Sequence, residues 1–184
     1  MTLTETPICN FGEKAKSFDL LSTANKKISL NDIKGENGTL IMFICNHCPY
    51  VKAVVKDIAE DTKYLETLGI KSVAIMSNDV KNYPEDSFEN MVSFSKLHNF
   101  SFPYLIDETQ KIAKEYGAVC TPDFFGYNKN LELQYRGRIR ELKNLKPVGK
   151  GNSDLRIAMQ LIATSGKGPK NQIPSMGCNI KWFK

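Results

Sequence analysis

The strongest constraint on the fold is the passage from Leu40-Ile41-Met42-Phe43-Ile44 into Cys45-Asn46-His47-Cys48 and then Pro49. A continuous apolar run of this length is expected of a central strand covered on both faces. Beyond it Val51, Val54, Val55, Ile58, Thr62 and Leu65 recur at helical spacing, and Gly69 marks the end of the helix. Pro49 suits an early helical position, where its missing N–H is not needed. The pattern is therefore a strand running into a helix with two thiols at the junction. A helix start presents unpaired N–H groups and partial positive charge, which favour an anion. A thiol held there ionises more easily, and the thiolate is the reactive species. His47, protonated or donating a hydrogen bond, stabilises a nearby thiolate further. These residues read as a redox-active dithiol.

The rest of the chain supplies a mounting for it. Phe18, Leu20, Ile28 and Leu30 around Ser22-Thr23-Ala24-Asn25 predict an N-terminal β-hairpin. Val73-Ala74-Ile75-Met76 reads as a second buried strand, and Pro84 as the opening of a helix with Phe88, Met91, Val92 and Leu97 on one side and a stop at Asn99. Tyr104-Leu105-Ile106 is a third strand, and Asp107 with Gln110 suggests a capping box for a helix carrying Ile112, Ala113 and Tyr116 that ends at Gly117. Asp123 to Tyr127, the turn Asn128-Lys129-Asn130, and alternating Leu131, Leu133 and Tyr135 read as an antiparallel hairpin. A last helix, capped by Ser153 or Asp154, runs to Gly166. The order gives an α/β fold, a central mixed β-sheet flanked by helices with the hairpin as an N-terminal extension. We expect one domain over 1–184 with a C-terminal tail from about 166, since no repeat or linker divides the chain.

Composition narrows the function. Charged residues make up 24% and apolar ones 41%, as in ordinary globular chains. No apolar run is long enough to span a bilayer and the first residues lack a signal peptide's apolar core, so a cytoplasmic protein without membrane contact is expected. Five unevenly spaced cysteines do not form a disulfide framework. The net charge of +5 and the cluster Arg136, Arg138, Arg140, Lys143, Lys146 and Lys150 raise nucleic acid as a partner. No reading helix or aromatic platform accompanies them, so a solvated basic loop and no nucleic acid are expected.

At the dithiol and at Val119-Cys120-Thr121-Pro122-Asp123-Phe124-Phe125 the sequence resembles the thioredoxin superfamily, and more narrowly its redoxin branch, the alkyl hydroperoxide reductase and thiol-specific antioxidant family. The ending Pro174 to Trp182, with Tyr135-Arg136-Gly137-Arg138-Ile139, is similar to a cytoplasmic thioredoxin-like subgroup with a Cys-x-x-Cys-Pro site. The resemblance implies a thioredoxin-like fold in which a cis-proline loop faces the dithiol. Pro122 matches that proline, Thr121 before it would present backbone groups to a bound thiol substrate, and Cys120 would lie near. Thioredoxin's buried acid would fall at Thr39, so proton handling must differ.

Two branches of the resemblance assign the sulfurs differently. A thiol-disulfide oxidoreductase would attack with Cys45 and resolve with Cys48, exchanging disulfides with protein or small-molecule thiols and drawing electrons from a cellular thiol donor. A peroxiredoxin-like antioxidant would use Cys48 as its peroxidatic cysteine, with Cys45 replacing a threonine. The first reading is favoured, with Cys45, Cys48 and His47 catalytic, Thr121 and Pro122 contacting substrate, and Cys120 and Cys178 as possible auxiliary thiols. It calls for no metal and no cofactor. A third reading is a noncatalytic zinc- or partner-binding fold, in which Cys120, Cys178, His47 or His98 would complete a zinc site. Cys120 and Cys178 also suit buried apolar positions, Cys9 falls in what reads as a mobile N-terminus, and His98 reads as a surface or packing residue rather than a base. Trp182 is expected to pack the tail onto the domain.

Overall fold

A computed structural model describes residues 2–184. In chain order its elements are β1 (Leu3–Glu5), β2 (Asp19–Ser22), β3 (Lys27–Ser29), β4 (Gly38–Phe43), α1 (Pro49–Glu66), β5 (Ile70–Met76), a 3-10 turn (Pro84–Asp86), α2 (Phe88–Leu97), β6 (Tyr104–Ile106) and α3 (Lys111–Tyr116). There follow β7 (Cys120–Thr121), β8 (Asp123–Tyr127), β9 (Leu133–Tyr135), β10 (Leu142–Lys143), β11 (Lys146–Pro147), α4 (Asp154–Ser165) and β12 (Met176–Asn179).

Seven strands form the main sheet in the order β3-β2-β6-β5-β4-β8-β9. The two pairings β4–β5 and β5–β6 are parallel and the rest antiparallel, so the sheet is mixed. Every residue of β4 is buried, which explains its unbroken apolar run. Leu40, Met42 and Ile44 pack beneath α1, α2 and α4, while Ile41 and Phe43 pack beneath α3 and the N-terminal segment. This two-residue alternation divides the core into two layers. On α1, Val51, Val54, Val55, Ile58 and Leu65 line the buried face. Each such side chain stabilises the fold by about 1.5–3 kcal/mol relative to exposure, so truncating Ile58 to Ala is expected to cost about 2–5 kcal/mol. The expected hairpin is β2–β3, joined to the sheet through β6.

A second sheet, β1-β12-β7, was not foreseen. It ties the first strand and the tail to the segment before Pro122, with Leu3 opposite Cys178 and Cys178 opposite Thr121. Cys9 follows a strand held in this sheet, is half-buried, and packs on the core beside Phe18 and Phe125, so it does not lie in a mobile arm. Three further expectations are corrected. Pro84 opens only the 3-10 turn, and α2 starts at Phe88 because Ser87 caps it, its hydroxyl accepting from Asn90 N–H. The basic segment is a solvated loop only in part: Lys143, Lys146 and Lys150 are exposed, but Arg136 pairs with buried Asp123, Arg138 with Asp154, and Arg140 with Asp57. Trp182 stays partly exposed beneath the Lys114 ammonium, and Ile180 and Lys181 are the buried anchors of the tail. Among the described residues no helix is long and apolar enough to cross a membrane.

Candidate active site

β4 ends at Phe43 and α1 begins at Pro49, so the dithiol occupies the expected strand-to-helix junction. Cys48 is the N-cap of α1. The Thr121–Pro122 peptide bond is cis, and Thr121 faces both sulfurs. Cys45 Sγ and Thr121 Oγ1 are hydrogen-bonded at 3.4 Å, and the Cys48 thiol donates to the Thr121 carbonyl at 3.1 Å. The thiols are unbridged and buried. They are deep, and they converge.

The pair shares its charge unequally. Cys48 is pulled well below the usual thiol range, first by the hydrogen bond from Cys45; burial opposes this, and Thr121, the Val51 amide and Cys178 assist it. In the thiol form no side-chain hydrogen bond caps the helix. Once Cys48 is charged it releases the Thr121 carbonyl, and the Val51 amide, the third of the helix, favours the anion. Cys45 is pushed well above the usual range by its bond to Cys48, by burial and by the negative charge of Asp86. Both shifts draw the charge of the pair toward Cys48, while the sequence reading gave the attacking role to Cys45.

Asp86 organises the residues between the thiols. Its carboxylate accepts from the backbone amides of Asn46 at 2.8 Å and His47 at 3.3 Å, from His47 Nδ1–H at 2.7 Å, and from Asn78 Nδ2 at 2.8 Å. Hydrogen bonds to a charged group contribute about 1.5–3 kcal/mol each. Burial pushes this carboxyl up, yet the His47 bond, the Asn78 bond and the Asn46 amide together leave it below the ordinary value. His47 is raised by its bond to Asp86 against the effect of burial, so the imidazole holds its second proton more firmly. Its Nε2 is buried without a partner among the described residues, and its ring stacks on Tyr83. Asn46 is fixed as well, its side chain donating to the Glu85 carbonyl and accepting from Tyr104 Oη–H.

Sequence reasoning missed Asp86, Asn78 and Tyr104. The signal for Asp86 was an acidic residue two positions after Pro84, which reads as helix-start chemistry and carries no information about its distant partner. Thr39, where thioredoxin's acid would fall, is buried and accepts from Gly35 N–H at 3.1 Å, a structural role. Asp86 brings a carboxylate to the dithiol from another segment.

The remaining candidates separate. Cys178 lies opposite Thr121 in the β7–β12 register. Cys120 is buried with its thiol directed at the Pro122 carbonyl, 3.7 Å away, and burial keeps it protonated. His98 packs against Phe94 and Phe100, away from the thiols. Among the described residues His98 joins no cluster of metal-ligating side chains, whereas Cys45, His47 and Asp86 place donor atoms within 4.8 Å of one another. The Thr121 backbone is covered by β12, while Pro122 reaches a surface groove of about 360 Å³ lined also by Tyr50, Arg138, Arg140 and Pro174.

The profile of the AhpC/TSA family matches residues 11–142. The chain belongs to the AhpC/TSA family. This redoxin is therefore an oxidoreductase of the thiol-disulfide or peroxiredoxin kind, with a thioredoxin-like fold. It is similar over its whole length to the crystal structure of an uncharacterized conserved protein from Geobacillus kaustophilus, at 38% identity and TM-score 0.93, with 97% of that chain covered. A hypothetical protein from Sinorhizobium meliloti is 34% identical at TM-score 0.91, with 99% of each chain covered. At 14% identity and TM-score 0.58 the fold also resembles the thioredoxin domain of a thiol-disulfide oxidoreductase from Bacteroides vulgatus, over 73% of this chain and 89% of that one. None of the curated proteins matches the chain.

Proposed function

We propose that this redoxin is a thiol-disulfide oxidoreductase whose working pair is Cys45 and Cys48, with Cys48 as the attacking sulfur. The observation that carries the reading is the meeting of both thiols on Thr121, Cys45 on its hydroxyl at 3.4 Å and Cys48 on its carbonyl at 3.1 Å, at the start of α1. The Cys48 thiolate attacks one sulfur of a substrate disulfide; a mixed disulfide forms and a thiolate leaves. Cys45 then attacks the Cys48 sulfur, giving the Cys45–Cys48 bond and releasing the second thiol. Two electrons pass from the pair to the substrate, and two protons go with the released thiols. The imidazolium of His47, with a buried Nε2 that has no partner among the described residues and a charge that favours the Cys48 thiolate, is suited to protonate a leaving sulfur. Thr121 holds both sulfurs, and the groove beside Pro122 is where a substrate would approach.

A peroxidase reading is weaker for two reasons. Cys45 occupies the place of a hydroxyl that would hold peroxide, and Arg136, the guanidinium behind the cis-proline loop, is bonded to Asp123 and to the Gly117 carbonyl. The test is stopped-flow reaction of the reduced protein with glutathione disulfide and, separately, with hydrogen peroxide, followed by peptide mapping. A Cys45–Cys48 bond after glutathione disulfide, with a peroxide rate no better than that of a free thiol, is the expected result. Rapid peroxide consumption leaving sulfenic acid on Cys48 would overturn it.

A further inference from the structure

The tail brings a third sulfur to the dithiol. Cys178 sits opposite Thr121 in the β7–β12 register, beside the residue that holds both other sulfurs, and packs in the same cluster as Cys45 and Cys48. The residues around it all serve this placement. A side chain at Gly177 would overlap the Thr121 carbonyl, so only glycine lets the strand approach so closely. Ser175 Oγ donates to the Pro122 carbonyl at 2.7 Å, and the Lys181 amide donates to Asn78 Oδ1 at 2.8 Å, pinning the strand on both sides of Cys178.

Access differs among the three sulfurs. Cys48 is 0% exposed, Cys45 1% and Cys178 4%. Cys178 lines a surface cleft about 170 Å³ in volume, walled by Thr2, Leu3, Pro49 and Tyr50. That is below the ~300 Å³ at which ligand pockets usually begin, so the cleft suits one thiol-bearing group. A donor entering there meets Cys178 before either member of the pair.

We propose that Cys178 is a third redox-active thiol, through which an external thiol donor re-reduces the Cys45–Cys48 disulfide. The inference rests on the oxidoreductase reading above and extends it to the electron-donor side. In the oxidised protein the Cys178 thiolate attacks the Cys48 sulfur: the Cys48–Cys178 bond forms, the Cys45–Cys48 bond breaks, and Cys45 departs with the electron pair and takes up the proton that Cys178 released. No net oxidation has occurred. An external thiolate next attacks the outer sulfur, Cys178, and Cys48 leaves as a thiolate. A second external thiol displaces Cys178, which leaves as a thiol. Two external thiols have become one disulfide and the Cys45–Cys48 pair has regained two electrons. The second exchange is favoured chemically because the better-stabilised thiolate, Cys48, is the leaving group.

Two measurements test this. Cys45→Ser treated with glutathione disulfide is expected to yield a Cys48–Cys178 linkage in non-reducing peptide maps, because Cys178 expels glutathione from Cys48. Cys178→Ser, oxidised beforehand to its Cys45–Cys48 bond, is expected to be re-reduced by glutathione at least tenfold more slowly than the oxidised wild type. A stable glutathione adduct on Cys48 in Cys45→Ser overturns the proposal, and so does re-reduction of Cys178→Ser at the wild-type rate or faster. The linkage test does not depend on how well Cys178→Ser folds. Neither refuting result touches the oxidoreductase reading, which fails if the wild type forms no Cys45–Cys48 bond with glutathione disulfide or consumes peroxide rapidly.

Discussion

Replacing Asp86 by asparagine removes one charge and keeps the shape, so its consequences follow from the four hydrogen bonds that the carboxylate accepts. Breaking a buried charged pair by removing one partner costs about 3–5 kcal/mol. His47 can lose its proton and so limit the damage, and the asparagine oxygen still accepts, so a loss of about 3 kcal/mol near pH 6 is expected. For a domain of this size 1 kcal/mol moves the melting midpoint by about 2–4 °C, which gives a drop of about 6–12 °C. The pH dependence carries a sign. Asp86 is depressed in the folded state, so its contribution is present above the unfolded carboxylate value of about 4 and is lost as pH falls through the folded value. His47 is raised, so its contribution is complete below about pH 6.5 and fades as pH rises through the folded value. The difference between wild type and Asp86→Asn should therefore be largest from about pH 4 to pH 6.5. Urea melts across this range, with the His47 ring followed by NMR, measure both. A His47 titration unchanged by the substitution would refute the argument, because the Asp86 bond is the leading cause of its shift.

Three further outcomes follow from the same geometry. Gly177→Ala forces the tail away from the Thr121 carbonyl, at a cost of about 1–3 kcal/mol; iodoacetamide should then label Cys48 faster, and unchanged labelling would contradict the covering role of β12. The wild-type pair is expected to lose its first proton with an apparent pKa of about 5, read as thiolate absorbance. In Cys45→Ser that value should rise, since the Cys45 thiol is the leading stabiliser of the charge, and a fall would reverse the assignment. Arg136→Met strands Asp123, whose carboxyl burial already pushes up to about 6 despite the 2.9 Å ion pair. A loss of about 3–5 kcal/mol at neutral pH is expected, smaller in acid where Asp123 is protonated, and equal losses at both pH values would count against it.

The parts of the fold written in local periodicity were legible beforehand. The strand through Leu40 to Ile44, the helix after Pro49, the hairpin at Asn128 and the stop at Asn99, whose φ is 52°, each follow from a few neighbouring residues. The dithiol was legible for the same reason. What stayed hidden depends on contacts across the chain. Asp86 meets His47 through a turn 39 positions away, and β12 meets β7 across more than fifty, with no periodic pattern in Met176 to Asn179 to announce a strand. Cys178 carried a hint in the motif after Gly177, but the need for glycine there lies in Thr121. The division of charge between Cys45 and Cys48 was likewise out of reach. Both lie near the helix start, and what separates them is the carboxylate beside one and the Val51 amide beside the other.

Asn78 joins the two systems that sequence reading could not see. Its amide nitrogen donates to Asp86 at 2.8 Å, and its oxygen accepts from the Lys181 amide three residues beyond Cys178. Gln110 also holds the tail, donating to the Lys181 carbonyl at 2.7 Å and accepting from the Phe183 amide at 2.8 Å, yet it has no bond to Asp86. The two residues therefore separate anchoring from coupling. Asn78→Ala should both raise the His47 pKa and speed alkylation of Cys178, since losing a donor leaves the Asp86 carboxylate more basic toward the imidazolium and frees the tail. Gln110→Ala should speed alkylation of Cys178 and leave His47 as it was. Groups in one hydrogen-bond network typically show coupling of about 0.5–3 kcal/mol in a double-mutant cycle; Asn78→Ala with Asp86→Asn should reach that range, and Gln110→Ala with Asp86→Asn should add. Equal coupling in both cycles would mean that the tail communicates with the imidazole through its position alone, and Asn78 would lose its place as the link.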